Sequence, residues 1–335
     1  MMKISFLVNI TFIIALFKFG IAQDIHFSQY NLSPLNLNPS LTGAFQGDLR
    51  FIGNHRNQWS SVSNPYATFG FSFEKKKLFK LPISFGFQIN QDRAGDSKLN
   101  TFQINPSVSY NFSFDSLDRF SAGAQIGFTK QNIDYNPLNF DAQYNGNVYD
   151  PSLSNQENFS INNRTYLNFN LGFLYSRKIN PNMELSTGIS FYNLNNSKQS
   201  YFNNNLVRLD LRSAIHSMLT WNYNKNLIFS PRLLWLIQGK HKEFIIGTSG
   251  EYIFENFMQT YRSVYGGISY RGNDAILING GYKFNNWQIG LNYDFNLSKL
   301  VPASIYRGGF EISILYIIDN SPTKNVIHRI CPDFI

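Results

Sequence analysis

The sequence predicts an all-β protein, a transmembrane antiparallel β-barrel of about 14 strands with a non-strand N-terminal plug or periplasmic segment. Charged residues make up only 15% of the 335-residue chain, against roughly 25% in ordinary soluble domains. Aromatic residues make up 16%, yet no apolar run beyond the first 23 residues is long enough for a membrane helix. A closed barrel accounts for both facts, because alternating residues conceal a lipid-facing surface within a sequence of average hydropathy.

Residues 1–23 have the features of a secretory signal peptide. The basic residue Lys3 precedes an apolar run over residues 4–17, and Ala22 lies at a suitable cleavage position. A membrane-spanning helix is the alternative, but it needs roughly 20 apolar residues and this run is shorter. We therefore expect export and cleavage, with a mature chain that begins near Asp24.

Apolar and polar residues alternate along most of the chain after residue 50. In the segment "ATFGFSFE", Phe69, Phe71 and Phe73 share one face of a strand. The opposite faces of such segments hold mainly Ser, Gly, Asn and Gln, which suits a barrel lumen better than a soluble exterior. A soluble β-sandwich or propeller is the alternative, but several apolar faces carry successive Phe or Ile residues, which soluble sheets avoid exposing.

Connection lengths predict which end of the barrel faces outward, because outer-membrane barrels alternate short periplasmic turns with longer outer loops. The longest connections follow odd-numbered strands, and we expect outer loops at Asn136–Asn163, Asn193–Asn205 and Asn90–Asn100. Aromatic girdles are expected at strand ends, where the candidates are Trp59, Trp221, Tyr223, Tyr252, Tyr282, Trp287 and Tyr316.

Residues suited to catalysis or metal binding are few and dispersed. The five histidines form no pair at three- or four-residue spacing, and no GxSxG, phosphate-loop or CxxC motif occurs. We therefore expect no catalytic residues, no cofactor and no metal, with a membrane-embedded hydrolase as a remote alternative. Cys331 is the only cysteine, so no internal disulfide can form.

The chain is mildly basic, and its charges are not clustered. Without residues 1–23, which hold two lysines and no acid, the 29 basic and 21 acidic residues become 27 and 21, a net charge of +6. No basic run is long enough to indicate binding to nucleic acid. Arg208, Asp210 and Arg212 alternate in "RLDLRSAIH", and we expect them to point into the lumen, away from lipid. We favour pairing across the lumen over contact with an inserted segment or substrate.

Two terminal segments resemble those of a known family. The stretch "QDIHFSQYNLSPLNLNPSLTGAFQGDLRFIGNHRNQW", residues 23–59, is similar to the N-terminal signature of the PorP/SprF family of type IX secretion system outer-membrane proteins. Residues 290–318 and the "CPDF" tail resemble the family's closing strands and tail, although Asp333 stands where a basic residue is common. The candidate interaction residues on these motifs are His26, Phe27, Ser28, Gln29, Leu37, Asn38, Pro39, Gly43, Arg56, Asn57, Gln58, Trp59, Cys331 and Pro332.

The resemblance implies an outer-membrane barrel that works with the type IX secretion machinery of Bacteroidetes-type bacteria. Its implied partners are a secreted or surface-exposed cargo protein such as a gliding adhesin, periplasmic components of the machinery, and the lipid bilayer of the outer membrane. The expected function is that of a secretion accessory or surface anchor for the cargo, without covalent chemistry. An outer-membrane channel or a transporter of hydrophobic compounds is the alternative.

The N-terminal segment of the mature chain is not expected to be a lipid-facing strand, because Pro34 and Pro39 lack the N–H that a strand ladder needs. Pro39 and Gly43 are expected to bracket a short turn or helix start, with Phe27, Leu35 and Leu37 packed against the barrel. The expected segments are a signal peptide over 1–23, a periplasmic or lumenal segment over 24–47, the barrel over 48–319 and a periplasmic tail over 320–335.

Overall fold

The fold was analysed in a computed structural model, which describes residues 24–58, 65–95, 97–156, 161–201, 207–257, 260–299 and 301–319. The described strands form one closed antiparallel barrel, in which sequence neighbours pair and the last strand closes on the first. The predicted antiparallel barrel of about 14 strands is therefore confirmed. The expected signal peptide lies outside the described residues.

The strands contain 10 to 18 residues, which is enough to cross the hydrocarbon layer at a tilt. They are β1 (Leu49–Gln58), β2 (Tyr66–Lys75), β3 (Ile83–Ala94), β4 (Leu99–Ser113), β5 (Asp118–Asn132), β6 (Asn163–Asn180), β7 (Met183–Tyr192), β8 (Arg212–Asn222), β9 (Leu227–Gln238), β10 (His241–Phe257), β11 (Thr260–Arg271), β12 (Ala275–Phe284), β13 (Trp287–Asn296) and β14 (Arg307–Ile318).

Helical structure is confined to single turns in the described part of the chain. The α-helical turns are α1 (Pro34–Leu37) and α2 (Val301–Ser304), and the 3₁₀ turns are Tyr30–Leu32, Pro39–Leu41, Leu78–Lys80 and Asp141–Gln143. No helix among the described residues has the length and apolar character to cross a membrane.

The faces of the barrel are those of a membrane protein, with apolar residues outside and polar residues inside. In β2, Phe69 and Phe71 are exposed on the outer face, whereas Ser72 is buried on the lumenal face. Elsewhere the exposed large hydrophobic side chains are again mostly Phe, Ile, Leu and Tyr, and most buried side chains are Ser, Asn, Gln, Thr or charged residues. Lipid would cover the exposed apolar residues, which explains why the alternating pattern is rich in aromatic residues and poor in charge.

Two strands contain a proline in mid-wall, and each proline interrupts one of its two ladders. Pro106 of β4 is paired with Phe87 of β3, but the ladder to β5 skips this position and resumes in the same register. Pro231 of β9 is paired with Thr248 of β10, and the ladder to β8 is interrupted in the same way. Because proline lacks an N–H, local hydrogen bonds to one neighbouring strand are lost at each position. The register of both strands is nevertheless the same on either side of the proline.

The two ends of the barrel differ in their connections. At the end where β1 begins and β14 ends, most connections are brief, such as residues 181–182 between β6 and β7 and 285–286 between β12 and β13. At the opposite end lie the long connections 133–162 and 193–211. We assign the first end, called the inner end below, to the periplasm and the other, the outer end, to the cell exterior.

The expected outer loop Asn90–Asn100 is wrong, because most of this segment is strand. β3 continues to Ala94 and β4 begins at Leu99, so the connection spans residues 95–98. Polar residues along this stretch still pair across strands, as when the Thr68 hydroxyl donates to the Asp92 carboxylate at 2.6 Å. The change to polar residues therefore does not mark the end of these strands.

Aromatic side chains line the outer surface near the inner end of the barrel. The rings of Trp287 and Tyr316 lie 4.3 Å apart between centroids, and Trp221 packs edge-on against Tyr223 at 5.4 Å. The described girdle candidates Trp221, Tyr223, Tyr252, Tyr282, Trp287 and Tyr316 all lie toward this end of their strands, whereas Trp59 is outside the described residues. These rings suit the boundary between lipid tails and headgroups.

The lipid-facing assignment makes a prediction for Ile126, which is exposed on the outer face midway along β5. We expect Ile126→Arg to reduce the free energy of unfolding by about 2–4 kcal/mol, because a cation would enter the hydrocarbon layer. Urea unfolding of the refolded protein in lipid vesicles measures this. Val148→Arg, in the exposed loop 133–162, is the matched control and should have no effect; equal effects of the two substitutions would contradict the assignment.

Candidate functional site: the plugged lumen

Residues 24–47, called the plug below, run through the lumen from the outer end to the inner end. The backbone N–H of Asp24 donates to Gln238 at the outer end of β9, at 3.3 Å. The backbone N–H of Gly43 donates to Glu74 at the inner end of β2, at 2.9 Å. The chain then enters β1 at the inner end, where the Asp48 N–H bonds to the Ile318 carbonyl of β14.

Proline, asparagine and glycine set the local conformation of the plug. Pro34 and Pro39 stand at the first positions of α1 and the following 3₁₀ turn, where a missing N–H costs no hydrogen bond. Between the turns, the Asn38 side chain caps the second one by accepting from the Ser40 N–H at 2.9 Å. Gly43 follows the second turn with a φ of +73°, a conformation that glycine adopts readily.

Two carboxylates near the outer end hold the first part of the plug. Glu311 of β14 accepts from the backbone N–H groups of Ser28 and Gln29, at 2.8 and 3.1 Å. Asp294 of β13 accepts from the Ser28 hydroxyl at 2.8 Å. Both carboxylates are almost completely buried, so these charge-assisted bonds lie out of contact with solvent.

Two buried arginines complete this arrangement. Arg56 of β1 pairs with Asp294 at 3.1 Å and donates to the His26 carbonyl of the plug at 2.7 Å. Arg271 of β11 pairs with Asp294 at 3.2 Å and donates to the Ser28 hydroxyl at 2.8 Å. We call Arg56, Arg271, Asp294 and Glu311 the clasp. Burying such charges is unfavourable unless each is paired, and here the plug backbone supplies part of the pairing.

Barrel side chains also satisfy the backbone carbonyls of the plug. The Tyr192 hydroxyl donates to the Leu35 carbonyl at 2.9 Å, and the Ser190 hydroxyl donates to the Leu37 carbonyl at 2.7 Å. Arg212 of β8 donates to the Asn36 carbonyl at 2.6 Å. Short helical turns leave carbonyls without internal partners, and these bonds replace the missing ones.

The Asn38 side chain of the plug is fully buried and has several hydrogen-bond partners. Its amide nitrogen contacts the carbonyls of Phe173 and Ile189 at 3.1 and 3.2 Å, and the ring Nε2 of His216 at 3.1 Å. Because the amide nitrogen is the donor, His216 Nε2 accepts and is unprotonated in this contact. Three strands therefore converge on a single plug side chain.

Six lumenal glycines give the plug the space that it occupies. A Cβ at Gly172 would overlap the Asn38 side chain, and one at Gly123 would overlap the Pro39 backbone. The glycines whose Cβ would lie against the plug are Gly70, Gly86, Gly123, Gly172, Gly188 and Gly290, on six different strands. The wall is therefore complementary in shape to the plug.

A buried ion pair fixes the inner end of the plug. Arg50 of β1 and Glu74 of β2 lie 2.7 Å apart, and Glu74 has no exposed surface. The same carboxylate accepts from the Gly43 N–H, and the Arg50 guanidinium lies 4.4 Å from the centre of the Phe45 ring. The chain is thus held on both sides of its turn into β1.

The plug divides the lumen into two vestibules. The inner vestibule has a volume of about 580 Å³ and is lined by plug residues such as Leu37 and Leu41. The outer vestibule, of about 630 Å³, is lined by Asp24 and His26 among others. The two vestibules have no lining residue in common among the described residues.

Most of the sequence-predicted candidates lie in or against the plug. Arg56 is in the clasp, Gln58 lines the outer vestibule, and Asn57 points to the other face of β1 from Arg56. The candidates within the plug are His26, Phe27, Ser28, Gln29, Leu37, Asn38, Pro39 and Gly43. Trp59, Cys331 and Pro332 lie outside the described residues.

The expectation that Arg208, Asp210 and Arg212 share a lumenal strand face is wrong for the first two. Residues 207–209 fold back on 197–199 in the outer loop, through backbone bonds from Gln199 to Val207 and from Leu209 to Ser197, both 2.8 Å. Arg208 and Asp210 are exposed there, because β8 begins only at Arg212. Arg212 does face the lumen, where it donates to the plug backbone. This agrees with the alternative that we favoured less, contact with an inserted segment.

Sequence reasoning missed Arg271, Asp294 and Glu311. A signal was present, because each is a charged residue at a lumenal position of an alternating segment, such as Glu311 in "GGFEISIL". Their convergence on one plug segment depends on the closure of β14 onto β1 and on strand stagger, which a single sequence does not encode locally. Among the described residues, no cluster of three His, Cys, Asp or Glu side chains could hold a metal ion.

The fold and site define a class of protein: an outer-membrane β-barrel closed by its own N-terminal segment. The family model of the type IX secretion system membrane protein PorP/SprF matches residues 20–316, and the chain belongs to this family. It is therefore an outer-membrane component of a type IX secretion system.

Solved structures with a similar fold are distant. The Ralstonia pickettii toluene transporter TbuX is 12% identical, with a TM-score of 0.49 over 85% of this chain and 92% of that one. The Pseudomonas putida toluene transporter TodX is 13% identical, with a TM-score of 0.48 over 88% and 94%. These likenesses carry no information about what this chain binds. No curated protein sequence matches it.

The glycine wall yields a prediction about stability. We expect Gly172→Ala to lower the free energy of unfolding by about 1–3 kcal/mol, because the new methyl group would overlap Asn38 in a filled lumen. Gly53→Ala in β1 is the control, since a Cβ there meets nothing within 4 Å. The midpoint of heat-induced unfolding on semi-native gels measures both, and equal midpoints would contradict close packing of the plug.

The His26 ring yields a prediction about pH. Burial lowers the pKa of this imidazole to about 4, although Glu243 lies 3.9 Å from it. Since the unfolded ring titrates near pH 6.5, the unfolded state binds more protons between these values, and stability falls as the pH drops from about 6.5 toward 4.

His26→Gln should remove this part of the pH dependence. We expect the wild-type unfolding midpoint in urea to decrease more between pH 7 and pH 5 than that of the variant. The charged and titratable groups around the ring are Arg56, His241, Glu243 and Arg271, and they remain in both proteins. Parallel pH profiles would show that His26 is protonated equally in the folded and unfolded states.

Proposed function

We propose that this protein serves the type IX system as a secretion accessory or surface anchor for a partner protein, such as a gliding adhesin, and performs no covalent chemistry. The observation that carries the proposal is the plug that occupies the lumen. A plug held by the clasp, by Asn38 and by the glycine wall suits a barrel that presents a binding surface better than one that conducts solutes.

The outer loop 133–162 is a suitable binding surface for the cargo. Tyr144 and Tyr149 pair across a small hairpin with their rings 5.6 Å apart. The Asn145 side chain closes this hairpin by accepting from the N–H groups of Asn147 and Val148, both at 3.1 Å. Tyr144 and Val148 are nevertheless more than half exposed. A loop that is ordered by its own bonds and still exposes apolar side chains loses little entropy when it binds a protein.

The base of the loop is bonded to the neighbouring connection between β3 and β4 and across the loop itself. The Asp134 N–H donates to the Ser97 carbonyl in the connection between β3 and β4 at 2.9 Å, and the Tyr135 hydroxyl donates to the Ile161 carbonyl at 3.1 Å. These bonds hold the base of the loop above the barrel. We infer that the cargo contacts the hairpin while the rigid barrel anchors it to the outer membrane.

A substitution in the hairpin tests the proposal. We expect Tyr144→Ser with Val148→Ser to reduce cargo recovered from solubilised outer membrane at least tenfold, because both exposed apolar contacts are lost. Phe79→Ser, which removes an exposed ring from the inner connection between β2 and β3, is the control and should leave recovery unchanged. Mass spectrometry of the co-purified proteins measures the effect.

Deletion of the gene tests whether the protein is needed for display of surface proteins. If the surface proteome and adhesin display were unchanged without this protein, the proposal would be wrong. Steady solute flux through the wild-type protein in liposomes would instead favour the alternative, a channel or transporter of hydrophobic compounds.

A further inference from the structure

The inner vestibule is an open cup at the inner end of the barrel. Its floor is apolar and comes from both plug and wall, with Leu37, Leu41, Leu174 and Met218 among its lining residues. Its wall is rich in hydroxyl groups, such as that of Ser186. Leu37 and Leu174 are themselves nearly buried, so Leu41 and Met218 provide most of the apolar surface that these four residues expose on the floor.

The end of β14 lies at the rim of this cup. The Ile318 carbonyl accepts from the Asp48 N–H, and a Cβ at Gly47 would lie 2.5 Å from the Ile317 side chain. The neighbouring residue Gln46 lines the vestibule. Asp319 lies within electrostatic range of Lys76, another lining residue. The chain therefore leaves the barrel next to the opening.

The residues that follow have the right length and composition to fill the cup. Residues 320–335, "NSPTKNVIHRICPDFI", could extend roughly 50 Å at about 3.3 Å per residue. Their apolar side chains are Val326, Ile327, Ile330, Phe334 and Ile335. In a periplasmic tail without a partner, these side chains would face water, which is unfavourable for each of them.

Cationic groups at the rim of the inner vestibule could pair with the acidic residue of the tail, Asp333. Lys76 and Lys77 line the vestibule at its rim, on the connection between β2 and β3, whereas Arg232 lines it from the middle of β9 and donates to the Ser249 hydroxyl. Arg119 also lines it but is paired with Glu184. Asp333 stands beside Phe334, so one short segment offers both a carboxylate and an apolar anchor.

We propose that residues 326–335 dock in the inner vestibule, with their apolar side chains on the floor formed by Leu37, Leu41, Leu174 and Met218. The tail then lies in the vestibule on the periplasmic side of the plug. Because it is tethered at the rim, its effective concentration is of the order of millimolar, so weak contacts are enough to keep it bound. This proposal does not depend on the cargo-binding function.

The single native cysteine provides the test, since Cys331 lies within the docking segment. Met218→Cys and Ser186→Cys each place a thiol in the inner vestibule, while Gln103→Cys places one in the outer vestibule beyond the plug. A short bismaleimide is added to isolated outer membranes that contain the full chain. We expect intramolecular cross-linking to Cys331 at least tenfold faster from positions 218 and 186 than from 103.

Further variants separate docking from random tail motion. Adding Cys331→Ser to Met218→Cys should abolish the cross-link, and adding Phe334→Asp should slow it at least fivefold by removing the apolar anchor. Equal rates from positions 218 and 103 would overturn the proposal. It would also be overturned if no cross-link formed while Cys331 and the thiol introduced at position 218 both reacted quickly with a monofunctional maleimide. Protection of that introduced thiol in cells but not in purified protein, without cross-linking, would assign the vestibule to a periplasmic partner instead.

Discussion

The structure depends on keeping buried charges paired inside a membrane-spanning wall. Asp294 and Glu311 are almost completely buried, and an isolated carboxylate in such a position would be strongly unfavourable. Arg56 and Arg271 neutralise part of this charge, but Glu311 also relies on the backbone N–H groups of the plug. Without the plug these acceptors would need water or another donor. The polar lumen and the N-terminal segment therefore stabilise each other.

The shapes of the plug and the wall determine where the plug lies in the lumen. The backbone of the plug bends at proline-initiated turns, which leave carbonyl groups that only the wall can satisfy. Glycines such as Gly123 and Gly172 stand where any side chain would collide with the plug. Hydrogen bonds to the Leu35 and Leu37 carbonyls then fix the position of α1. A lumen shaped in this way holds one particular segment and leaves a vestibule on either side.

Much of the fold could be predicted from local sequence, because a strand that separates lipid from a polar lumen must alternate. The alternation of Phe69, Phe71 and Phe73 with small polar residues is an example that the structure confirms. Strand ends were harder, since residues such as Asp92 still pair across strands after the apolar pattern stops. Connection lengths therefore predicted two of the three outer loops, and the third was wrong because its polar residues belong to strands.

The candidate site could be predicted only in part. The terminal motifs identified the plug residues and Arg56, but Glu311 and Asp294 meet Ser28 only after the barrel closes across more than 260 residues of chain. The role of the plug-facing glycines could not be predicted, because the segment that they accommodate is distant in sequence. For Arg208 and Asp210 the prediction was wrong for another reason. Their alternating pattern resembles a strand, but these residues lie in a loop that folds back on itself.

The central claim is that the clasp holds the plug in a closed lumen, and single-channel recording in planar bilayers tests it most directly. The account predicts that the wild-type protein shows no steady conductance. The double substitution Asp294→Asn with Glu311→Gln should open it, because two carboxylates that hold Ser28 and Gln29 are replaced by weaker neutral acceptors. A steady open conductance in the wild type, unchanged in the double variant, would contradict it.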